Sequence, residues 1–179
     1  MIYQMMTIEI RDYSLAIHPI SPDELDAVLN VYRQCEDFLA LGLVPTASME
    51  MVLQDIEISK GYGGLFCGIY KEGEMIGVID YVPSNYEGDP HAAYLALLMI
   101  AAPFRKQGIG KAVVEAIENE IRRNAQVDKI LSGVQVDNLQ AVQFWQRNGY
   151  RIVGEPKLYP GQLTGVDLRK DLASTSLEP

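Results

Sequence analysis

The spacing of apolar and polar residues changes from segment to segment, and each spacing predicts a type of element. Segments that are continuously apolar, or rich in β-branched and aromatic residues, predict strands. The predicted strands are residues 13–20, 65–70, 75–82, 93–101, 129–136, 150–153 and 163–168. Segments whose apolar residues recur every three or four positions predict helices. The predicted helices are one that follows Ser21 and the segments 48–59, 108–124 and 138–148.

Turn and capping residues mark where these elements begin and end. Ser21-Pro22-Asp23-Glu24 is a capping box with proline at the first helical position. Lys71-Glu72-Gly73-Glu74 predicts a hairpin turn, and Gly149 predicts a helix end. We see neither an internal repeat nor a linker, so we expect one domain of mixed α and β structure over residues 1–179, with its core at about 13–170.

Composition and charge narrow the classes of partner. The net charge of −9 disfavours non-specific binding to nucleic acid, which requires a basic surface. Cys35 and Cys67 are far apart and only two histidines are present, so we expect no disulfide framework and no metal site. The first residues lack the features of a secretory signal, and the longest apolar run, residues 94–104, is too short to span a bilayer. We therefore expect a cytoplasmic protein without a membrane partner.

The stretch RKQGIGK, which begins at Arg105, lies between a predicted strand and a predicted helix. A helix N-terminus binds anions, and glycine allows the anion to approach the backbone. The dinucleotide pattern G-x-G-x-x-G fails because Val113 stands at its third glycine, and the nucleotide pattern G-x-x-x-x-G-K-[ST] fails at Arg105 and Ala112. The pattern R-x-x-G-x-G matches at Arg105, Gly108 and Gly110. A simple strand–helix turn is the alternative interpretation.

A second motif follows at residues 134–150, VQVDNLQAVQFWQRNGY. Asn138, Ala141, Phe144, Gly149 and Tyr150 fit the pattern N-x-x-A-x-x-F-Y-x-x-x-G-F/Y at these steps. With the first motif, this segment resembles the GNAT superfamily of acyl-CoA-dependent N-acyltransferases. The resemblance implies a GNAT fold, in which helices flank a central, mixed and mostly antiparallel sheet with two splayed parallel strands.

The resemblance also implies where coenzyme A binds. Its pantetheine arm lies between the splayed strands and its pyrophosphate lies on the helix start. The residues implied in cofactor binding are Leu98, Met99, Ile100, Ala101, Arg105, Lys106, Gln107, Gly108, Ile109, Gly110, Lys111, Asn138 and Trp145. For Asn138 a helix N-cap is an equal and compatible interpretation, and for Trp145 the alternative is packing in the core.

The catalytic groups that the resemblance implies depart in part from the family pattern. The N–H of Leu98 or Ile100 would hold the thioester carbonyl. Many relatives carry a tyrosine acid seven residues after the asparagine; here that residue is Trp145, whose indole is not a useful acid. Tyr150 and Tyr159 are the replacement candidates.

The sequence also leaves open which residue is the general base that accepts the amine proton. Some relatives carry a glutamate early in the first splayed strand, where this chain has Tyr94. The candidate proton acceptors are Asp80, Glu87, Asp89 and His91, each with an ordinary loop residue as its alternative.

We expect an N-acetyltransferase that transfers the acetyl group of acetyl-CoA to a primary amine of a small molecule or peptide, without a metal. The alternative is a non-catalytic acyl-CoA-binding or sensing module. Residues 30–60, 83–92 and 155–163 would contact the acceptor; Glu36 and Asp37 could attract an amine there or form a solvated helix face. Whether the protein forms a homodimer is open.

Overall fold

The computed structural model describes residues 7–159 and 163–172, without the side chain of Tyr159. Its strands are β1 Ile8–Ile10, β2 Leu15–Pro19, β3 Leu65–Lys71, β4 Glu74–Val82, β5 Ala92–Ile100, β6 Lys129–Gln135, β7 Arg151–Tyr159 and β8 Leu163–Asp171. Its α-helices are α1 Leu25–Arg33, α2 Glu36–Leu39, α3 Met49–Gly61, α4 Ile109–Ile121 and α5 Leu139–Arg147. The structure confirms every predicted helix and strand, and most bounds agree within a few residues; β7 continues six residues beyond the predicted end at Val153. It adds β1 and α2, which the sequence pattern did not predict.

The eight strands form one sheet in the order β1-β2-β3-β4-β5-β6-β8-β7. Only the β5–β6 pair is parallel, and all other neighbours run antiparallel. This arrangement confirms the mixed, mostly antiparallel sheet. The β3–β4 connection is the predicted hairpin, with Glu72 and Gly73 both at positive φ, as a two-residue turn of this twist requires.

The parallel pair separates part of the way along its length. β5 and β6 are paired only from Ala92↔Lys129 to Leu95↔Ser132. On the other side of β5, the register with β4 passes from Tyr81↔Leu95 to Asp80↔Leu97, so Ala96 is an extra residue, a β-bulge. A bulge bends its strand. The bend falls where β5 leaves β6, and a gap opens between the two strands beyond it.

Helices cover both faces of the sheet. On one face, α4 packs Val113 and Ile117 into a cluster that also holds the side chains of Leu98 and Ile100. On the other face, α1 and α3 form a second cluster with Met99. Successive residues of β5 therefore face opposite layers, as the alternation of a strand requires. None of the described helices is long and apolar enough to cross a membrane.

Capping residues work as the sequence indicated. The main-chain N–H of Ser21 donates to the Glu24 carboxylate at 2.8 Å. Asn138 is the N-cap of α5, where its side-chain oxygen accepts from the N–H of Ala141 at 3.0 Å. After α5, Gly149 adopts φ +86°, a conformation that glycine adopts without strain.

Candidate functional site

The main chain at the end of β5 faces the gap at alternate residues. In an antiparallel pair, residues alternate between those bonded to the neighbouring strand and those that point away from it. Ala101 donates to Ile76 O at 2.8 Å, so Met99 in the same register also bonds to β4. The N–H and C=O groups of Leu98 and the N–H of Ile100 therefore point into the gap, whereas the Ile100 C=O accepts from Arg105 Nε at 2.7 Å.

This alternation bears on part of the cofactor set implied by the resemblance, which stays a prediction. All four residues from Leu98 to Ala101 were expected to offer main-chain groups to a ligand. Met99 instead pairs with β4, and Ala101 donates its N–H to Ile76 O of β4 and accepts from Phe104 N–H at 2.9 Å; both side chains are buried. Only Leu98 and Ile100 combine the orientation and the position that the prediction requires.

The opposite wall of the gap is the end of β6. Val136 donates to Thr164 O at 3.0 Å in the β8 register, so by the same alternation Gly133 and Gln135 face the gap. The side-chain Oε1 of Gln135 is buried and has no hydrogen-bond partner among the described residues. Buried polar atoms are normally paired, so an orphaned acceptor here indicates a site that a ligand or water completes.

The gap leads to the start of α4. Among the described residues, the backbone N–H groups from Lys106 to Lys111 donate to no acceptor within the chain. Lys106 at φ 60° and Gly108 at φ 80° turn the chain into the helix. A row of free amides at the positive end of a thirteen-residue helix suits a phosphate.

The two glycines leave room for neighbouring side chains. A Cβ at Gly108 would lie 2.7 Å from the Tyr13 hydroxyl oxygen, and one at Gly110 would lie 3.3 Å from Phe144 Cε2. The tight-turn interpretation and the anion-site interpretation are therefore both consistent with these residues.

Side chains of the same loop add little focused charge. Lys106 is exposed, and Lys111 Nζ lies 3.6 Å from Glu115 Oε1. Gln107 donates to Pro103 O at 3.0 Å, and Ile109 is buried in the core. The backbone, rather than the side chains, is therefore the main donor set at this helix start.

Arg105 is engaged elsewhere. Its Nη1 and Nη2 donate to both carboxylate oxygens of Asp37, at 2.5 and 3.1 Å, and its Nε donates to Ile100 O at 2.7 Å. The hydrogen bond from Arg105 lowers the pKa of Asp37. The predicted phosphate contact of Arg105 stays a prediction, but its cation already has a carboxylate partner.

Glu36 and Asp37, the acids expected near the acceptor, both have partners within the protein. Glu36 Oε1 accepts from the N–H of Ala47 at 2.9 Å, and Asp37 pairs with Arg105. These contacts fasten α2 to its surroundings, and Asp37 remains 65% exposed, as on a solvated helix face. Attraction of an amine by these acids stays a prediction.

Trp145 lies in the core. Its side chain is 7% exposed and packs edge to face against Phe144 and Tyr150, with ring centroids 5.3 and 5.0 Å apart. The structure thus shows the core packing that was the alternative interpretation of this residue.

Tyr150 is not placed as a proton donor to the gap. Its hydroxyl donates to Glu118 Oε1 at 3.0 Å, and Glu118, only 2% exposed, also pairs with Lys170 Nζ at 2.7 Å. Burial and the Glu118 carboxylate raise the pKa of Tyr150, which makes it a weaker acid. This position does not favour Tyr150 as the acid, and that role stays a prediction. The side chain of Tyr159, the other candidate, lies outside the described residues.

Among the candidate proton acceptors, the structure distinguishes Asp80. It is 6% exposed and accepts from Ser59 Oγ at 2.6 Å. Burial, with a contribution from nearby Asp55, raises the pKa of Asp80 to about 6. Asp80 lies opposite Leu97, the neighbour of Leu98. A single acid within the apolar strand sequence MIGVIDYV was the signal that could have singled it out.

The other candidate proton acceptors, Glu87, Asp89 and His91, lie in the loop between β4 and β5. Asp89 pairs with Lys129 at 2.7 Å, and the His91 ring lies 2.8 Å from Gln126 O. Glu87 is exposed at a turn. These contacts match the ordinary loop roles that the sequence left open for them.

Aromatic rings border the β5–β6 pair where the gap begins. Tyr94 stacks on Tyr86 with centroids 4.2 Å apart, and Tyr86 lies 5.7 Å from Tyr62 at the end of α3. A Cβ on Gly133, the first residue of β6 past the paired segment, would lie 3.3 Å from the Tyr94 hydroxyl oxygen. Tyr94 thus ends a row of rings that runs from α3 to the gap.

No group of three or more histidine, cysteine, aspartate or glutamate side chains within residues 7–159 and 163–172 is arranged to hold a metal ion. The candidate site therefore consists of main-chain donors, one buried carboxylate and an aromatic border.

Comparisons with known proteins agree with this geometry. N-alpha-acetyltransferase 50 of Danio rerio is 30% identical over 89 residues, which cover 48% of this chain and 53% of the relative. A Salmonella typhimurium acetyl transferase that modifies the N-terminal serine of ribosomal protein L7/L12 superposes with a TM-score of 0.74 at 18% identity, covering 93% of this chain and 99% of that one. The PaiA N-acetyltransferase of Thermoplasma acidophilum, in complex with coenzyme A, gives 0.65 at 19% identity, covering 89% and 99%.

The structural likenesses, at these identities, establish the fold alone. The chain spans about half the length of the curated relative described above. A sequence profile described as the acetyltransferase (GNAT) family matches residues 25–150, which contain the gap strands, the amide loop and α5. On this match, the chain belongs to the GNAT acetyltransferase family.

Proposed function

We propose that the protein is an acetyl-CoA-dependent N-acetyltransferase whose acceptor is the α-amine of a peptide. The observation that carries the proposal is the gap between β5 and β6. Two outward-facing amides, those of Leu98 and Ile100, lead along it to the free amides at the start of α4.

The donor set fits coenzyme A part by part. Pantetheine contains amides, which can pair with the outward N–H and C=O of Leu98 and with the N–H of Ile100, as another strand would. The amides from Lys106 to Lys111 suit the pyrophosphate. Acetyl-CoA, when bound, supplies an acetyl group activated as a thioester.

The chain's own groups then have separable tasks. The N–H of Leu98 or Ile100 polarises the thioester carbonyl oxygen. The positive end of α5, a nine-residue helix, favours the departing thiolate, which leaves without an acid because thiols ionise near pKa ~8.5. Asp80, held by Ser59, receives the amine proton directly or through water.

The choice of a peptide α-amine rests on the relatives. The Danio rerio relative is named an N-alpha-acetyltransferase, and the Salmonella typhimurium structure modifies an N-terminal serine. Small-molecule amines are the competing acceptor class.

The second candidate is a non-catalytic acyl-CoA-binding module. The observation in its favour is the lack of a proton donor from these two residues. Trp145 packs in the core and has no hydroxyl, and the hydroxyl of Tyr150 bonds to Glu118. It differs from the first candidate only in chemistry, and turnover separates the two.

The test measures CoA-thiol release from acetyl-CoA with three acceptors. They are a peptide with a free N-terminus, the same peptide with its N-terminus blocked and a lysine retained, and a polyamine. We expect release with the first alone. Release with the polyamine alone would replace the peptide acceptor by a small molecule. Thermal stabilisation by acetyl-CoA without release to any acceptor would favour the binding module.

A further inference from the structure

Arg105 connects three parts of the molecule that are distant in sequence. Its Nε donates to Ile100 O at 2.7 Å, at the end of β5. Its Nη1 and Nη2 form a bidentate pair with Asp37, in α2, and Nη2 also reaches Gln34 O at 3.4 Å, after α1. Arg105 itself directly precedes the free amides that begin at Lys106.

The carbonyl that Arg105 holds belongs to a firmly anchored peptide group. Ile100 O also accepts from Cys35 Sγ at 3.5 Å, and the N–H of Ala101, in the same peptide group, donates to Ile76 O at 2.8 Å. One side of this group is thus fixed to β4 and the other to the corner between α1 and α2. The N–H of the same Ile100 faces the gap.

We propose that Arg105 is a positioning residue that, with Asp37, latches the α1–α2 corner (residues 34–37) onto the end of β5. The latch sets the acceptor side of the gap relative to the amide of Ile100. Four of the five N–H donors of the guanidinium are engaged by a bidentate carboxylate and two carbonyls, so its main task is the latch rather than a phosphate contact. This inference rests on the proposed function.

The latch differs from an ordinary surface ion pair in what it joins. The side chains of Arg105 and Asp37 are 32% and 65% exposed, so their attraction contributes little to global stability. The two partners nevertheless belong to different layers, and the pair fixes their relative position. Loss of the pair should therefore raise the KM of the acceptor peptide and the local rate of hydrogen–deuterium exchange. It should leave the melting temperature almost unchanged.

The experiment compares Arg105→Ala, Asp37→Ala and the double variant with Arg151→Ala. Arg151 pairs with Asp171 at 2.7 Å, with side chains 58% and 46% exposed, on β7 and β8. Three quantities are measured: the acetyl-CoA Kd by calorimetry, the KM of the acceptor peptide, and hydrogen–deuterium exchange of residues 34–42 and 98–105.

We expect each latch variant to raise the peptide KM about fivefold or more, the lower end of typical coupling between two sites. The acetyl-CoA Kd should stay within about threefold of wild type, and the double variant should be no worse than either single one. Exchange should rise in both segments. Arg151→Ala should leave all three readouts unchanged.

A different pattern would overturn the latch. If Arg105→Ala weakened acetyl-CoA binding about tenfold while Asp37→Ala strengthened it, Arg105 would be a phosphate ligand that Asp37 holds back. Latch variants that matched wild type in KM and exchange would also refute it. If wild type bound no acetyl-CoA, the proposed function would fail, yet exchange of the two segments would still decide whether the latch exists.

Discussion

At the residue scale, the buried carboxyl of Asp80 makes the free energy of unfolding depend on pH. Its pKa rises from 3.8 to about 6 on folding, so the folded protein binds its proton more tightly than the unfolded chain. This proton stabilises the fold below about pH 4, and the contribution is lost as pH rises towards 6. Two pKa units correspond to about 3 kcal/mol.

Asp80→Asn should remove this dependence. We expect the variant to be more stable than wild type by up to about 3 kcal/mol at pH 8 and by only about 1 kcal/mol at pH 4.5, measured by urea unfolding. An asparagine oxygen can still accept from Ser59, so the packing is kept. Equal destabilisation at both pH values would show that the carboxylate is favoured in its ionised form.

The same substitution tests the chemistry. If Asp80 receives the amine proton, the kcat/KM of wild type should fall as pH drops through about 6, and Asp80→Asn should lose roughly 10²–10⁴-fold. Ser59→Ala, which keeps the carboxylate, is the matched control and should lose less. Full activity in Asp80→Asn would exclude it as the base.

Tyr150→Phe separates structure from catalysis. The change leaves Glu118 with Lys170 but without the tyrosine donor, so we expect a loss of about 1–3 kcal/mol in unfolding free energy. kcat should be unchanged under conditions where the variant is folded. An unchanged stability with a selective fall in kcat at high pH would restore Tyr150 as the acid.

The sequence predicted the roles of some of these residues but not of others, and the difference has a physical reason. Asn138 and Gly149 act within a few positions of themselves, so local pattern predicts their roles. Tyr150 hydrogen-bonds to Glu118, which is 32 residues away in sequence. Arg105 hydrogen-bonds to Asp37, which is 68 residues away. Such partners are set by the tertiary packing of elements, which residue spacing does not encode.

At the element scale, the amide loop depends on a glycine for two separate reasons. Gly108 has φ +80°, and its missing side chain makes room for the Tyr13 hydroxyl. Gly108→Ala should therefore lower both stability and CoA affinity, measured by thermal melting and calorimetry. Tyr13→Phe in the same chain removes the clashing hydroxyl and keeps the ring that packs on the core, so it should recover part of the stability but not the CoA affinity.

Lys111→Ala is the contrasting change in that loop. Lys111 is exposed and paired with Glu115, and its backbone N–H remains, so CoA affinity should fall by less than about threefold. If this loss exceeded that of Gly108→Ala, side-chain charge rather than backbone would hold the phosphate.

The gap itself shows what the sequence could predict of an element. Continuous apolar character predicted β5, and its motifs predicted splayed strands through the family resemblance. The bulge at Ala96 that bends β5 is a property of its register with β4. Register depends on both strands, so the bend that opens the site had to be read from the structure.

At the scale of the whole molecule, ligand binding should appear as stability. A ligand that binds only the folded state at a hundredfold excess over its Kd stabilises by about 2.7 kcal/mol, which is roughly 5–10 °C for a chain of this length. We expect that shift with CoA, measured by thermal melting against the free protein. Adenosine 3′,5′-bisphosphate, which lacks pantetheine, is the matched control.

The two ligands test different parts of the site. The bisphosphate reaches the amides at the start of α4 but has nothing to pair with Leu98 and Ile100 in the gap, so its shift at equal concentration should be smaller. The net charge of −9 opposes both anions over long range, so any stabilisation must come from the local donors. Equal shifts would show that the gap contributes no affinity. An absence of any shift at millimolar CoA would mean that the gap and the amides at the start of α4 do not together form a cofactor site.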